Sequence, residues 1–156
     1  MGYVKWSYDT LNTFCHDVFR KFGFNEEQTN IIKDVLLTAD LYGIESHGMQ
    51  RMVRYDKGIE KGTIHPDAEP EVVFETPVSA VIDGHDGMGQ LISHFAMEKA
   101  IEKAKKTGVG FVSVRNSNHL VLQDIMRKWL LNRDCLEWHV LTQKRLWYLP
   151  LDVRQC

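Results

Sequence analysis

A basic surplus is missing from this sequence: 19 Lys plus Arg stand against 21 Asp plus Glu, a net charge of −2. General nucleic-acid binding needs cations to displace counterions, so the chain is not expected to bind nucleic acid. Long apolar runs are missing too. No stretch approaches a membrane span, and Met-Gly-Tyr-Val-Lys-Trp at the start has no apolar secretory core. Trp6 stands where an N-myristoylation signal wants Ser or Thr. Cysteine is scarce. Cys15, Cys135 and Cys156 have neither metal-ligand spacing nor the look of a disulfide framework, so the expected setting is the reducing cytoplasm. Glycine is absent from the last 46 residues, although eleven glycines occur up to Gly110.

What is there is the composition of one ordinary globular domain, or one domain plus an appendage: 156 residues, 44% apolar and 26% charged. The two ends differ. Residues 1–119 carry 13 basic and 17 acidic groups (−4), and residues 120–156 carry 6 and 4 (+2). Trp129, Trp138 and Trp147 crowd the second part, whose apolar residues follow neither helical nor strand period. Its run Arg145-Leu-Trp-Tyr-Leu-Pro-Leu151 reads as an exposed sticky segment.

The first part alternates clear signals. Ser7 is placed to cap a helix with Leu11, Phe14, Cys15, Val18, Phe19 and Phe22 inward, stopped by Gly23. Asn25 and Gln28 have capping-box spacing ahead of a helix packed through Ile31, Ile32, Val35, Leu36 and Ala39, ending at Gly43. Ser46 is the expected cap of a third helix, about Gly48 to Lys61, with Met52, Val53 and Ile59 packed. Two β-type runs follow, Val72–Phe74 and Val78–Ile82, split by Thr76-Pro77. A glycine-rich turn, 84–89, opens a helix from Gln90 to Thr107; Gly108 stops it, and Val109–Val114 reads as a buried strand. The expected fold class is α/β or α+β. A helical segment (1–65) leads into a strand–helix–strand unit (66–119), and the tail (120–156) stands apart. The polar loop Arg115–His119 then leaves a strand at its carboxyl end, where ligands tend to bind.

Two spots could carry chemistry. In Ser46-His47-Gly48 and onward, a helix would put His47, Arg51 and Tyr55 in one stripe, apart from the Met52/Val53/Ile59 face. An imidazole can exchange a proton near neutral pH, a guanidinium can grip a carboxylate through two hydrogen bonds, and a phenol adds a donor. The same residues would also make an ordinary solvated helix flank, and spacing alone favours that reading. His119 closes the polar loop and is well placed for catalysis, though one such residue proves little. His85 and His94 read as structural or exposed. No histidine pair has the spacing of a zinc motif, so no metal is expected. Gly84-x-x-Gly87-x-Gly89 has the wrong order for a dinucleotide fingerprint and reads as a tight turn needing positive φ.

Together the runs ADLYGIESHGMQRMVRY (39–55), IEKGTIHPDAEP (59–70), AVIDGHDGMGQ (80–90) and AIEKAKKTGVGFVSVRNSNH (100–119) resemble the type-2 malate/L-lactate dehydrogenase family. That group also takes in ureidoglycolate and sulfolactate dehydrogenases and is unrelated in fold to the Rossmann malate and lactate enzymes. The resemblance implies reversible hydride transfer between NAD or NADP and a small 2-hydroxy acid or its 2-keto partner, in a homodimer. It implies that Ser46, Arg51 and Tyr55 bind substrate and that His47 or His119 carries the proton. The cofactor-reading residues fall outside the matching region, and the whole family chain is more than twice as long.

After His119 the resemblance stops. The family continues much like HFGIAGYYA; this chain reads HLVLQDIMR. CAT TTT GGT ATT GCA GGA TAT TAT GCG encodes the former. With one T removed, the bases read CAT TTG GTA TTG CAG GAT ATT ATG CG, which is His119 to Met126 and the start of Arg127. The expectation is a frameshifted tail on a family N-terminal part, and two alternatives stand beside a working dehydrogenase. One is an inactive, truncated remnant without most of the cofactor site; the other is a non-catalytic module that binds a partner through its tail.

Overall fold

The computed structural model describes residues 4–120; the tail residues 121–156, with Cys135, Cys156, the three late tryptophans and the sticky run, lie outside the described residues. In chain order the elements are α1 (Tyr8–Lys21), α2 (Glu26–Leu41), two single 3-10 turns (Glu45–His47 and Met49–Arg51), α3 (Met52–Glu60), β1 (Glu71–Glu75), β2 (Ser79–Gly87), α4 (Gly89–Thr107) and β3 (Phe111–Ser117). The strands form one sheet in the order β1-β2-β3, antiparallel then parallel, with α4 as the crossover. This is a mixed helix-and-strand fold, as expected.

The helix ends follow from local chemistry. Ser7 Oγ accepts from the Thr10 N–H at 3.2 Å. Asn25 and Gln28 close a reciprocal box, with Gln28 N–H donating to Asn25 Oδ1 and Asn25 N–H to Gln28 Oε1, each at 2.9 Å. At the far end, Gly108 takes φ +86° and donates to Ala104, which ends α4. One apolar core binds both segments. Cys15 and Phe19 of α1, Ile32, Val35 and Leu36 of α2, and Met52 and Tyr55 of α3 pack with Ile64 and Met88. The core therefore runs across position 65.

Four expectations fail, each for a packing reason. Phe14 is 55% exposed, because α1 turns Cys15, Val18 and Phe19 to the core and Phe14 away from it. The third helix begins later than predicted, and Ser46 does not cap it. Gly48, at φ −89° and ψ −149°, breaks the helical path, so two 3-10 turns precede α3. On α3 the faces are rotated: Val53 is 60% exposed, and Tyr55, predicted on the polar stripe, is buried in the core beside Met52. Finally, β3 is not a buried strand. Ala80 and Ile82 of β2 are buried against α4, but no described element covers the opposite face of the sheet, leaving Phe74 (59%) and Phe111 (64%) exposed.

Replacing Asn25 by Ala removes the side-chain acceptor of the Gln28 N–H and keeps the backbone N–H that donates to Gln28 Oε1. The variant is expected to lose about 1 kcal/mol of stability, read as a lower urea midpoint with an unchanged slope.

Candidate functional site

Two segments far apart in sequence converge: the 45–51 turns with α3, and the loop leaving β3. The first is shaped by Asp40 near the end of α2. Its carboxylate accepts from the Met49 N–H at 2.8 Å and lies where a Gly48 side chain would go; a Cβ there would meet Asp40 Oδ1 at 1.7 Å. Only glycine permits that approach. Burial raises the Asp40 pKa, against the lowering effect of the Met49 N–H. Within the turn, Ser46 Oγ and His47 Nδ1 are hydrogen-bonded at 2.8 Å, and Arg51 Nε donates to the Ser46 carbonyl at 2.5 Å. Ser46 thus orients both His47 and Arg51.

The second segment hangs on Asp83. This buried carboxylate accepts from the His85 N–H (3.0 Å), Arg115 Nε (2.8 Å) and Asn116 Nδ2 (3.0 and 3.1 Å). These bonds hold its pKa down to about 2, the His85 N–H and Asn116 contributing ahead of Arg115. His85, Asp86 and Asn116 adopt φ of +46°, +55° and +49°, the left-handed region that those three residue types enter most readily among non-glycines. The glycines of 84–89 are not in that region, contrary to expectation; they serve close approach instead. A Cβ at Gly89 would lie 2.4 Å from the His119 carbonyl oxygen, and one at Gly84 2.8 Å from that of Asn116. Asn118 Nδ2 fastens the loop by donating to the carbonyls of Thr63 (2.9 Å), Asp86 (2.6 Å) and Gly87 (3.2 Å).

The outcome is a histidine pair. The rings of His47 and His119 stack with centroids 5.8 Å apart and planes at 29°. His119 Nδ1 is buried without a hydrogen-bond partner among the described residues. Burial first, then the charges of Arg51, Arg54 and His47, lower the His119 pKa, so this imidazole is neutral at pH 7 and can accept a proton. Two hollows adjoin. One of about 470 Å³ is lined by Ser46, Gln50, Arg51, Val53, Arg54 and Lys57. The other, about 250 Å³, includes Arg54, Lys57, Lys61, Asn118 and His119.

Of the residues singled out from sequence, His47, Ser46, Arg51 and His119 come together. Tyr55 is placed differently: it is 1% exposed, its phenol oxygen accepts from Gln90 Nε2 at 2.8 Å, and burial pushes its pKa up to about 12. It touches the smaller hollow from the core side. His85 is exposed and pairs with Glu71 at 3.2 Å. Asp40, Asp83, Asn118 and Arg54 were not legible as site residues. The i, i+3, i+7 spacing of Arg54, Lys57 and Lys61 was the one signal that could have marked a basic face. Among the described residues no cluster of three or more His, Cys, Asp or Glu could hold a metal ion.

Fold and site together define an α+β protein with basic hollows beside a stacked histidine pair at the carboxyl end of a parallel strand. The chain belongs to the malate/L-lactate dehydrogenase family, whose model matches residues 6–151. That match runs past His119, where the resemblance in the sequence stops. Malate dehydrogenase of Pyrococcus abyssi is 48% identical over 118 residues, 76% of this chain and 33% of that protein. L-sulfolactate dehydrogenase of Methanocaldococcus jannaschii is 42% identical over 120 residues, 77% and 35% of the two chains. The solved malate dehydrogenase of Pyrococcus horikoshii superposes with a TM-score of 0.78 at 40% identity, covering 83% of this chain and 38% of that one. The chain thus spans about a third of the length of these relatives.

Asp83 gives a signed pH test. Its native pKa of about 2 lies below the unfolded value of about 3.9, so its contribution is complete above about pH 4 and vanishes as pH falls through about 2. Asp83→Asn should therefore lower the melting temperature at pH 7, and the gap to the parent should narrow between about pH 4 and about pH 2. A gap that stays constant over that range contradicts the role given to the carboxylate.

Proposed function

We propose that this chain is the substrate-binding part of an NAD- or NADP-dependent 2-hydroxy acid dehydrogenase. The observation that carries the reading is the stacked His47–His119 pair, with a neutral, buried and unpartnered nitrogen on His119 and Arg51 held beside it. Oxidising a 2-hydroxy acid breaks a C–H bond as hydride and an O–H bond as proton. A nicotinamide cofactor, when bound, supplies the hydride acceptor. His119 takes the hydroxyl proton, and gives it back when the 2-keto acid is reduced. Arg51, aligned through Ser46, grips the substrate carboxylate. His47 packs against the working imidazole and fixes its plane, and Tyr55 backs the pocket wall from the core.

The residues fit the substrate end better than the cofactor. The N-terminus of α4, the one strand-to-helix junction among the described residues, is filled by the backbone of residues 118–119, which a Gly89 Cβ would strike. The pyrophosphate therefore has no cradle there.

A second reading is a non-catalytic remnant. The bare sheet face with Phe74 and Phe111 supports it, since such a face wants a covering layer or the partner of a homodimer. Titrating the purified chain with NADH and following its fluorescence separates the two. Saturable binding that L-malate or L-lactate strengthens supports the dehydrogenase; no saturation supports the remnant. If catalysis is present, His119→Ala should lower kcat by about 100-fold or more with little change in KM. Near-normal turnover would shift the proton to His47.

We also retain the division into residues 1–65, 66–119 and a frame-shifted 120–156. Alignments of 118 and 120 residues with single relatives speak for the shift, and the family match to residue 151 speaks against it. The gene decides: codons incompatible with the shifted frame after His119 end the idea. A cytoplasmic location belongs to this reading as well; it rests on the scarcity of cysteine in the sequence.

A further inference from the structure

Packing does not explain Gln90. The side chain sits at the start of α4, ahead of the apolar Leu91 and Ile92, and is 0% exposed. Its Nε2 donates to the Tyr55 phenol oxygen at 2.8 Å, while its Oε1 has no hydrogen-bond partner among the described residues. An orphan carbonyl in an apolar interior is costly, and Leu or Met would fill the same space without it. What glutamine supplies is a donor. A phenol has one proton to give and accepts at the same oxygen. Because the Gln90 amide donates to that oxygen, the Tyr55 proton is not spent on Gln90 and is free for another acceptor.

The surroundings of Tyr55 set the direction. It borders the smaller hollow together with Arg54, Asn118 and His119, and its phenol lies within electrostatic reach of Arg51 and Arg54. Burial pushes its pKa up to about 12, against the lowering effects of Gln90 and the two guanidiniums, so the phenol keeps its proton at neutral pH. Gln90 is held from the same side. The position of a Cβ on its neighbour Gly89 lies 2.4 Å from the His119 carbonyl oxygen, so the first turn of α4 abuts the loop that carries His119. We propose that Gln90 is a positioning residue: by donating to Tyr55 it turns the phenol proton out of the core and into the smaller hollow, where it meets an oxygen of the bound acid. This rests on the 2-hydroxy acid reading and adds to it a buried side chain that touches no ligand itself. A donor fixed in advance needs no reorganisation when the ligand arrives.

The test is a double-mutant cycle on the full 156-residue chain, with L-malate and inorganic phosphate as probes at pH 7.5 and the histidine Hε1 NMR signals as the readout. Gln90→Met and Tyr55→Phe are each expected to weaken binding about tenfold, and the two together no more than either alone, because Gln90 acts through the phenol proton. Gln90→Glu keeps the size of the side chain but offers the phenol an acceptor in place of a donor. It is expected to weaken binding as far as Tyr55→Phe does, and it carries the test if melting shows the methionine variant unfolded. Losses that multiply, with Gln90→Met costing as much in the Tyr55→Phe background as in the parent, would make Gln90 a packing residue and overturn the proposal. Unchanged affinity in either Gln90 variant would do the same. If phosphate saturates and follows the cycle while malate does not saturate, the role of Gln90 stands and the 2-hydroxy acid reading falls. Saturation by neither probe sinks both.

Discussion

The site depends on one buried carboxylate. Asp83 sits at the point where the register between β2 and β3 shifts, and it gathers Arg115, Asn116 and the His85 N–H around itself. A buried charge without partners would be expensive; with a guanidinium, an amide and a backbone donor it becomes a rigid junction. The two strand ends that meet there each enter left-handed backbone conformations, which isolated chains visit rarely and which the junction holds in place. From it the β3 exit loop runs across the start of α4, close enough that Gly89 must be glycine, and sets down His119 beside His47.

A second, smaller device matches it on the other side. Asp40 reaches from α2 into the gap above Gly48 and splits what would have been one helix into two tight turns and α3. That interruption keeps Ser46, His47 and Arg51 on a turn, where the serine hydroxyl and carbonyl can hold the imidazole and the guanidinium at once. The core beneath joins the two halves: Tyr55 and Gln90, 35 residues apart, share a buried hydrogen bond that ties α3 to α4. The helical segment and the sheet are thus a single packed body as far as they are described, with a finished side carrying the site and an unfinished side on the bare face of the sheet.

Much of this was legible in the order of residues. Helix starts at Ser7 and Asn25, stops at Gly23, Gly43 and Gly108, and the change from helical to strand period near residue 70 are local effects, written in caps, breakers and spacing. The family was legible as well, in runs of sequence that include His47, Arg51 and His119. Their meeting was not readable from spacing, because His119 arrives from 72 residues away through a crossover whose end-point depends on Asp83 and Asn118.

Sequence by itself determined which segments are helix and which are strand, because caps, glycines and apolar periods act over a few residues. The tertiary structure alone decided which face of each was inside. It buried Tyr55 and exposed Val53, left Phe111 bare, moved the left-handed backbone from the glycines to His85, Asp86 and Asn116, and turned two separate histidines into a stacked pair. The physical reason is that burial and backbone strain are settled by what packs alongside, and that neighbour lies far off along the chain.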